Sequence, residues 1–124
     1  GHSDGDVVLH SLIDAILGSL QKGDIGDYFP SSDDTYRDIS SRHLVNHIIN
    51  KFNFKIKNIL NIDLTIICQH IRLSKHKESI RKSLSEILNC DIGKINIKAK
   101  TTDEVGIIGK SKAIACWVTL SVLI

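Results

Sequence analysis

The apolar residues of the chain recur with two different repeat lengths, and the longer repeat predicts helices. Across residues 6–21 apolar side chains return every three or four positions, which is the spacing of an amphipathic helix. Ser3 or Asp4 is a candidate N-cap for this helix, and Gly23 is a candidate stop. The polar, breaker-rich residues 23–37 that follow predict an ordered loop.

Two further stretches show the same helical spacing. The first starts at Ser40 or Ser41, both of which are favourable N-caps, and continues to about Phe52. The second opens at Ser74 and places apolar side chains at i, i+4, i+7 and i+8 counted from Ile80. Both patterns predict helices with one buried face.

The shorter repeat is an alternation of apolar residues, which predicts strands over residues 62–68, 95–99 and 114–122. The element order therefore predicts an α/β sandwich, in which a mixed β-sheet has helices packed on one face. The other face carries Trp117 and its polar neighbours on the last strand. That face is either buried against another subunit or simply the hydrated side of a small sheet.

Composition narrows the class of protein. The 124 residues match one globular domain, with 42% hydrophobic and 24% charged residues. A net charge of +2 is too mild to indicate a nucleic-acid partner, and the apolar stretch 113–124 is shorter than a membrane span. The three cysteines, far apart and odd in number, favour a reducing compartment over a disulfide framework.

The densest chemical signal is the segment His-Ser-Asp-Gly-Asp-Val-Val-Leu-His at residues 2–10. Within the predicted helix, Asp6, His10 and Asp14 lie on one stripe, four residues apart. His2 precedes the helix, where N–H groups favour anions. This arrangement suits a zinc site that handles phosphate, but the acids also suit the helix dipole and His10 also suits a surface position.

Other candidates carry weaker signals. His43 and His47 are four residues apart on a predicted helix but lack the glutamate of an HExxH motif, which favours two surface histidines. His70 and His76 flank a basic loop that can meet a phosphate or simply be solvated. Residues 101–104 offer hydroxyl donors and carboxylates between a strand and a loop. The cysteines are best explained as core filling.

Taken together, five segments in order resemble the 2-C-methyl-D-erythritol 2,4-cyclodiphosphate synthase family of the non-mevalonate isoprenoid pathway. They are the 2–10 segment, Gly-Asp-Ile-Gly at 23–26, Phe-Pro at 29–30, Lys-Ala-Lys-Thr-Thr-Asp at 98–103 and, after Gly106 and Gly109, Ile-Ala-Cys at 114–116. The resemblance extends from residue 1 to the final strand.

The resemblance implies a lyase that acts on 4-diphosphocytidyl-2-C-methyl-D-erythritol 2-phosphate. The 2-phosphate attacks the β-phosphate, which closes a cyclic diphosphate and releases CMP. Nucleophile and electrophile belong to one molecule, so the enzyme mainly has to fold the substrate and disperse negative charge. The family uses Zn²⁺ together with Mg²⁺ or Mn²⁺ for this purpose.

The resemblance also implies roles for individual residues. His10 matches a zinc ligand, Asp103 matches a ligand of the second metal, and His2 and Thr101 match the residues that stabilise the transition state. Residues 24–26 and 29–33 match segments that hold the methylerythritol part, and residues 68–74 match the loop that binds cytosine. With His2, Thr101 and Asp103, the implied substrate-binding residues are Ser3, Asp24, Ile25, Gly26, Phe29, Pro30, Ser31, Ser32, Asp33, Cys68, Gln69, His70, Ile71, Arg72, Leu73, Ser74, Lys100, Thr102, Ile107 and Lys110.

This sequence departs from the family pattern in several places. Asp103 stands where the family has glutamate, Lys110 where it has arginine, Ile107 where it has an aromatic residue and Arg72 where it has lysine. The family's first hairpin, whose Asp-x-His motif supplies two more zinc ligands, is not among these residues. We therefore expect residues 1–124 to form a single, N-terminally incomplete cyclodiphosphate synthase domain, which in some relatives is fused to a cytidylyltransferase.

The resemblance further implies a homotrimer with active sites between subunits, the sheet face of Trp117 toward the trimer axis, and no nucleic-acid or membrane partner. The expected location is a bacterial cytoplasm or a plastid-type organelle. Two rival functions stay open. A metal-dependent phosphohydrolase would release inorganic phosphate, and a catalytically inactive cytidine-nucleotide-binding fragment would bind CMP without turnover.

Overall fold

The computed structural model of the chain describes residues 4–32, 35, 39–69, 75–101, 106 and 114–124. Its main elements follow the predicted order and are α1 (Asp4–Ser19), α2 (Ser41–Lys51), β1 (Ile59–Ile67), α3 (Lys77–Leu88), β2 (Ile95–Lys100) and β3 (Ala115–Val122). Short 3-10 helices cover Ile25–Asp27, Ile56–Asn58 and Ile92–Lys94. The chain divides into two compact units, Gly1–Lys55 and Ile56–Ile124. The single domain expected for residues 1–124 stays a prediction.

In the first unit, α1 packs against α2. The apolar face that periodicity predicts for α1 is buried, as is that of α2. The buried apolar residues of the two helices are Val8, Leu12, Ile13, Ile16, Leu17, Leu44, Val45 and Ile48. The predicted cap of α2 is confirmed, since the Ser40 side chain accepts a hydrogen bond from the backbone N–H of His43.

The three helices end in the same way, which differs from the glycine stop predicted for α1. Gln21, Asn53 and Asn89 each adopt a left-handed backbone conformation with φ between 51° and 58°. After α1, the N–H of Gln21 donates to Gly18 O at 3.1 Å and that of Lys22 to Leu17 O at 2.9 Å. These paired bonds form a Schellman motif, so α1 ends at Ser19, ahead of Gly23.

The second unit contains a three-stranded mixed sheet, as predicted, and its strand order is β2-β1-β3. β1 runs parallel to β2 and antiparallel to β3, with Leu64 opposite both Ile97 and Val118. Helix α3 contacts β2. One sheet face carries the buried apolar residues Ile62, Leu64, Ile66, Ile95 and Ile97.

Helix α3 starts later than predicted. Serine at position 74 suggested an N-cap there, but the helix begins at Lys77 with His76 before it. The backbone N–H of Ile80 donates to His76 O at 2.9 Å and the Ser79 hydroxyl donates to the same oxygen, so His76 supplies the acceptor at the helix start. Ser74 itself lies outside the described residues.

The other face of the sheet is mostly polar, and it also carries Trp117 and the paired residues Ile67 and Ala115. Trp117 is 60% exposed and lies opposite Thr65. Beside it, Lys98 Nζ lies 2.7 Å from Asp63 Oδ2, and Asn96 donates to Asp63 Oδ1 at 3.0 Å. Contact of this face with other subunits stays a prediction. Among the described helices, none combines the length and hydropathy needed to cross a membrane.

Candidate functional site

Two residues of the α1 stripe, Asp6 and His10, face the start of α2. The hydroxyl of Ser41 donates to Asp6 Oδ1 at 2.7 Å and lies 3.1 Å from His10 Nε2. Ser41 is only 5% exposed, whereas His10 is exposed. The histidine that was predicted to bind zinc is therefore held at one nitrogen by a buried hydroxyl.

The third residue of the stripe holds a predicted substrate-binding segment. Asp14 Oδ1 accepts a hydrogen bond of 2.8 Å from the backbone N–H of Ile25. Ile25 opens the 3-10 helix Ile25–Asp27, and Asp24 precedes it. Asp14 thus fixes residues 24–26 to α1, in the same unit as His10, and leaves Asp24 exposed to solvent.

Aromatic contacts hold the residues that follow. The Tyr28 hydroxyl donates to Lys22 O at 2.6 Å, and its ring meets Phe52 edge-on at 5.4 Å between centroids. The ring of Phe29 lies 5.5 Å from that of His47 in a similar edge-on arrangement. His47 and His43 are exposed on α2, as the surface interpretation predicts. Pro30, Ser31 and Ser32 follow at the surface.

The turn before Asp24 depends on a glycine. Gly23 has φ +88°, a conformation that L side chains rarely adopt, and a Cβ added there would overlap the Asp27 carboxylate. That carboxylate accepts the backbone N–H of Asp24 at 3.0 Å through Oδ2. Gly23 therefore permits the hydrogen bond that closes the turn.

In the second unit, the predicted cytosine loop and the predicted catalytic threonine leave the sheet at one edge. Cys68 follows β1 and Thr101 follows β2, and the two strands are parallel. The backbone N–H of Cys68 donates to Lys100 O at 3.0 Å, which joins the two chain segments directly after the strands. Cys68 is buried, Gln69 is partly buried, and Lys100 and Thr101 are exposed. Ligands of sheets with parallel strands commonly bind at such carboxyl edges.

Two titratable groups of the second unit are shifted from their ordinary pKa values. Hydrogen bonds from Lys98 and Asn96 lower the pKa of Asp63. Desolvation, assisted by the charge of Asp91 and opposed by that of Lys94, raises the pKa of the Cys90 thiol. The Cys90 thiol therefore stays protonated at neutral pH, in agreement with a structural role.

The remaining predicted site residues lie outside the described part of the chain. They are His2, Ser3, Asp33, His70, Ile71, Arg72, Leu73, Ser74, Thr102, Asp103, Ile107 and Lys110. Within the described ranges, no three His, Cys, Asp or Glu side chains form a group that could hold a metal ion. The zinc and second-metal sites stay predictions.

Sequence reasoning missed the partners of the stripe. It placed Asp14 beside His10 but did not connect Asp14 to Ile25, and it treated Ser41 only as a candidate helix cap. The stripe spacing was the available signal for Asp14. No signal in the sequence links Ser41 to His10, because they are 31 residues apart and meet through helix packing.

The family is decided by comparison with known proteins. The family model described as "YgbB family" matches residues 1–123. The chain belongs to the YgbB family. A Haemophilus ducreyi member named 2-C-methyl-D-erythritol 2,4-cyclodiphosphate synthase is 46% identical over 115 residues, which are 93% of this chain and 72% of that protein.

Solved structures that are similar to this chain agree with the sequence comparison. Bifunctional IspDF from Campylobacter jejuni matches with a TM-score of 0.85 and 34% identity, covering 96% of this chain and 32% of that longer chain. A Plasmodium falciparum IspF structure, a complex with CDP, matches with a TM-score of 0.74 and 36% identity, covering 97% of this chain and 72% of that one. The predicted mixed α/β fold is therefore confirmed as that of the family.

Proposed function

We propose that the chain is the cyclodiphosphate synthase of isoprenoid precursor biosynthesis, a CMP-releasing phosphorus–oxygen lyase. It converts 4-diphosphocytidyl-2-C-methyl-D-erythritol 2-phosphate to 2-C-methyl-D-erythritol 2,4-cyclodiphosphate. The observation that carries this proposal is the family match over residues 1–123, together with a relative of that name at 46% identity. A bacterial cytoplasm or a plastid-type organelle suits such an enzyme.

The chemistry needs positioning more than it needs a protein nucleophile. The 2-phosphate oxygen forms a bond to the β-phosphorus while the bond from that phosphorus to the CMP oxygen breaks, so CMP leaves with the electron pair. Because both reacting groups belong to one substrate, holding the molecule in a folded conformation supplies much of the rate enhancement. The protein's task is to hold each end of the substrate.

The described segments suit that task. Asp14 and the Tyr28 and Phe29 contacts fix residues 24–29, where the exposed Asp24 carboxylate can accept hydrogen bonds from the methylerythritol hydroxyls. The segment after β1 begins the proposed cytosine site, and the CDP complex of the Plasmodium relative supports a cytidine nucleotide as ligand. Thr101, directly after β2, can donate its hydroxyl to a phosphate oxygen.

Divalent cations fit the donor chemistry of His10 and Asp103. His10 offers an exposed imidazole whose other nitrogen is hydrogen-bonded, the usual arrangement of a zinc-ligating histidine. We assign His10 to zinc and Asp103 to Mg²⁺ or Mn²⁺, whose preferred ligands are oxygens. Cations bound there would supply Lewis-acid stabilisation of the charge on the diphosphate.

The proposal extends to a homotrimer with active sites between subunits. In this arrangement the sheet face of Trp117 lies against the neighbouring subunits. The exposed Trp117 on this face supports the placement, because aromatic residues are enriched in protein interfaces.

The proposed function is tested by product analysis. The purified chain, with and without the family's first hairpin ahead of it and with Zn²⁺ and Mg²⁺ supplied, is incubated with the diphosphocytidyl substrate, and CMP and inorganic phosphate are measured separately. We expect CMP to appear without inorganic phosphate. Release of inorganic phosphate would favour a phosphohydrolase, and binding of CMP without any turnover would favour an inactive nucleotide-binding fragment.

A further inference from the structure

Ser41 is a buried polar residue whose hydroxyl contacts two side chains of the neighbouring helix. Its Oγ donates to Asp6 Oδ1 at 2.7 Å and lies 3.1 Å from His10 Nε2. A hydroxyl has one proton, and an ionised carboxylate can only accept, so the proton of Ser41 is directed to Asp6. In the contact with His10, Ser41 is then the acceptor, and Nε2 must carry a proton.

We propose that Ser41, aligned by Asp6, is a positioning residue that holds His10 in its Nε2–H tautomer and presents Nδ1 to the divalent cation. In a neutral imidazole only one nitrogen is protonated, so the lone pair lies on Nδ1. The inference rests on the proposed function for the assignment of His10 as a metal ligand. Hydrogen bonds of this kind fix the orientation and tautomer of metal-binding histidines.

The local structure explains why Ser41 is available for this role. Ser40 precedes α2 and supplies its N-cap, so capping does not use the hydroxyl of Ser41, the first helical residue. Asp6 and His10 are four residues apart on α1 and therefore face the same point on α2. With 5% of its surface exposed, Ser41 is largely shielded from water that would compete for these bonds.

The first test measures the tautomer directly, without metal and without substrate. Nitrogen NMR of the histidine-labelled chain, with His10 assigned by its absence in His10→Ala, is expected to show protonated Nε2 and unprotonated Nδ1. Ser41→Ala should lose this preference, and Ser41→Thr, which keeps the hydroxyl, should restore it. Ser40→Ala is the matched control, because it removes the neighbouring hydroxyl and should leave the tautomer unchanged.

The second test measures zinc affinity by titration in the same variants, made in the protein that also carries the family's first hairpin, because His10 alone cannot hold a tetrahedral zinc ion. We expect Ser41→Ala to bind zinc about 10–100-fold more weakly than the wild type, and Ser40→Ala to bind it with little change. A wild-type ring protonated at Nδ1, or equal zinc affinity in Ser41→Ala and the wild type, overturns the inference.

Different results would contradict the tautomer inference and the proposed function. A wild-type chain that binds zinc but carries the Nδ1–H tautomer overturns the inference and leaves the proposed function standing. A wild-type chain that binds no zinc contradicts the zinc site itself, and with it the role given to Nδ1, whatever the tautomer.

Discussion

At the scale of single residues, the candidate site is built from polar side chains that hold one another. Asp6 and Asp14 lie one turn to either side of His10 on α1, and each anchors a different segment of the first unit. Asp6 contacts Ser41, and Asp14 contacts the backbone of Ile25. Asp6 and Asp14 therefore stabilise the packing of neighbouring segments as well as the helix dipole. His10 is the residue of this stripe that we assign to ligand binding.

Replacing His10 tests its assignment. In the protein that also carries the family's first hairpin, His10→Ala should lose bound zinc and all measurable CMP release, because a proposed metal ligand is removed, while the fold should survive the loss of an exposed side chain. Metal analysis, turnover and thermal unfolding are measured together. His43→Ala, which removes another exposed histidine of the same unit, is the control and should retain zinc. Unchanged zinc content in His10→Ala contradicts the assignment.

The lowered pKa of Asp63 predicts that the stability of the protein depends on pH. Its pKa is lowered from 3.8 on folding by Lys98 and Asn96, so the stability it adds is present above about pH 4 and disappears as pH falls through the folded value. Asp63→Asn should therefore lower the unfolding temperature at about pH 7, and the difference from the wild type should shrink at about pH 3.

Removing the partner of Asp63 is the control for that experiment. In a Lys98→Gln background, Asp63→Asn should have a smaller effect at neutral pH, because the 2.7 Å ion pair is already absent. An effect of Asp63→Asn that is the same at both pH values would contradict the role of its charge.

At the scale of elements, helix and strand types could be predicted from the sequence, but several ends could not. The apolar residues of α1, α2 and the three strands recur with the period of a buried face, so the type of each element can be predicted from the sequence alone. The ends depend on backbone conformation: Gln21, Asn53 and Asn89 are left-handed although none is glycine. A cap such as Ser74 is likewise a local signal, and the hydrogen bonds at His76 outweigh it.

The conformation of Gly23 predicts that a substitution at this turn lowers the free energy of unfolding. Gly23→Ala should destabilise the first unit by more than about 1 kcal/mol, because it combines a positive φ with an overlap against the Asp27 carboxylate. Denaturant unfolding measures this loss. Gly18→Ala, where an added Cβ meets nothing within 4 Å, is the matched control and should not destabilise the chain. Equal effects of the two substitutions would contradict this account of the turn.

A substitution on the buried face of the sheet should destabilise the protein more than Gly23→Ala does. Leu64 lies in the central strand and is fully buried between Ile97 and Val118. Leu64→Ala should cost about 2–5 kcal/mol of unfolding free energy through lost burial and a residual cavity. Thr65→Ala, one residue along the same strand, should cost much less. A small effect of Leu64→Ala in denaturant unfolding would contradict the placement of the core.

At the scale of the whole molecule, the sequence predicted the sheet and its two unlike faces, and the carboxyl edge where Cys68 and Thr101 emerge follows from the parallel pairing. What could not be predicted were contacts between distant residues, such as Ser41 with His10, because helix packing alone determines them. The second face of the sheet, with its exposed Trp117, is where the assembly proposal can be tested.

The proposed place of Trp117 in a trimer interface can be tested by the oligomeric state of a variant. The wild-type chain should sediment as a trimer, and Trp117→Glu should shift it toward monomer, because three carboxylates would be desolvated in the proposed interface. Ile92→Glu, which alters an exposed apolar residue of a 3-10 helix, is the control and should leave the mass unchanged. A Trp117→Glu protein with the mass of the wild-type trimer would contradict the placement of this face.

Phosphorus NMR of the reaction products tests the central claim most directly. Given the diphosphocytidyl substrate and both metals, the chain with the family's first hairpin ahead of it should convert the substrate's phosphorus signals into those of CMP and of a diphosphate closed into a ring, in equal amounts. Inorganic phosphate, or an open-chain diphosphate beside CMP, would show that water rather than the substrate's own phosphate is the nucleophile, and would contradict the account.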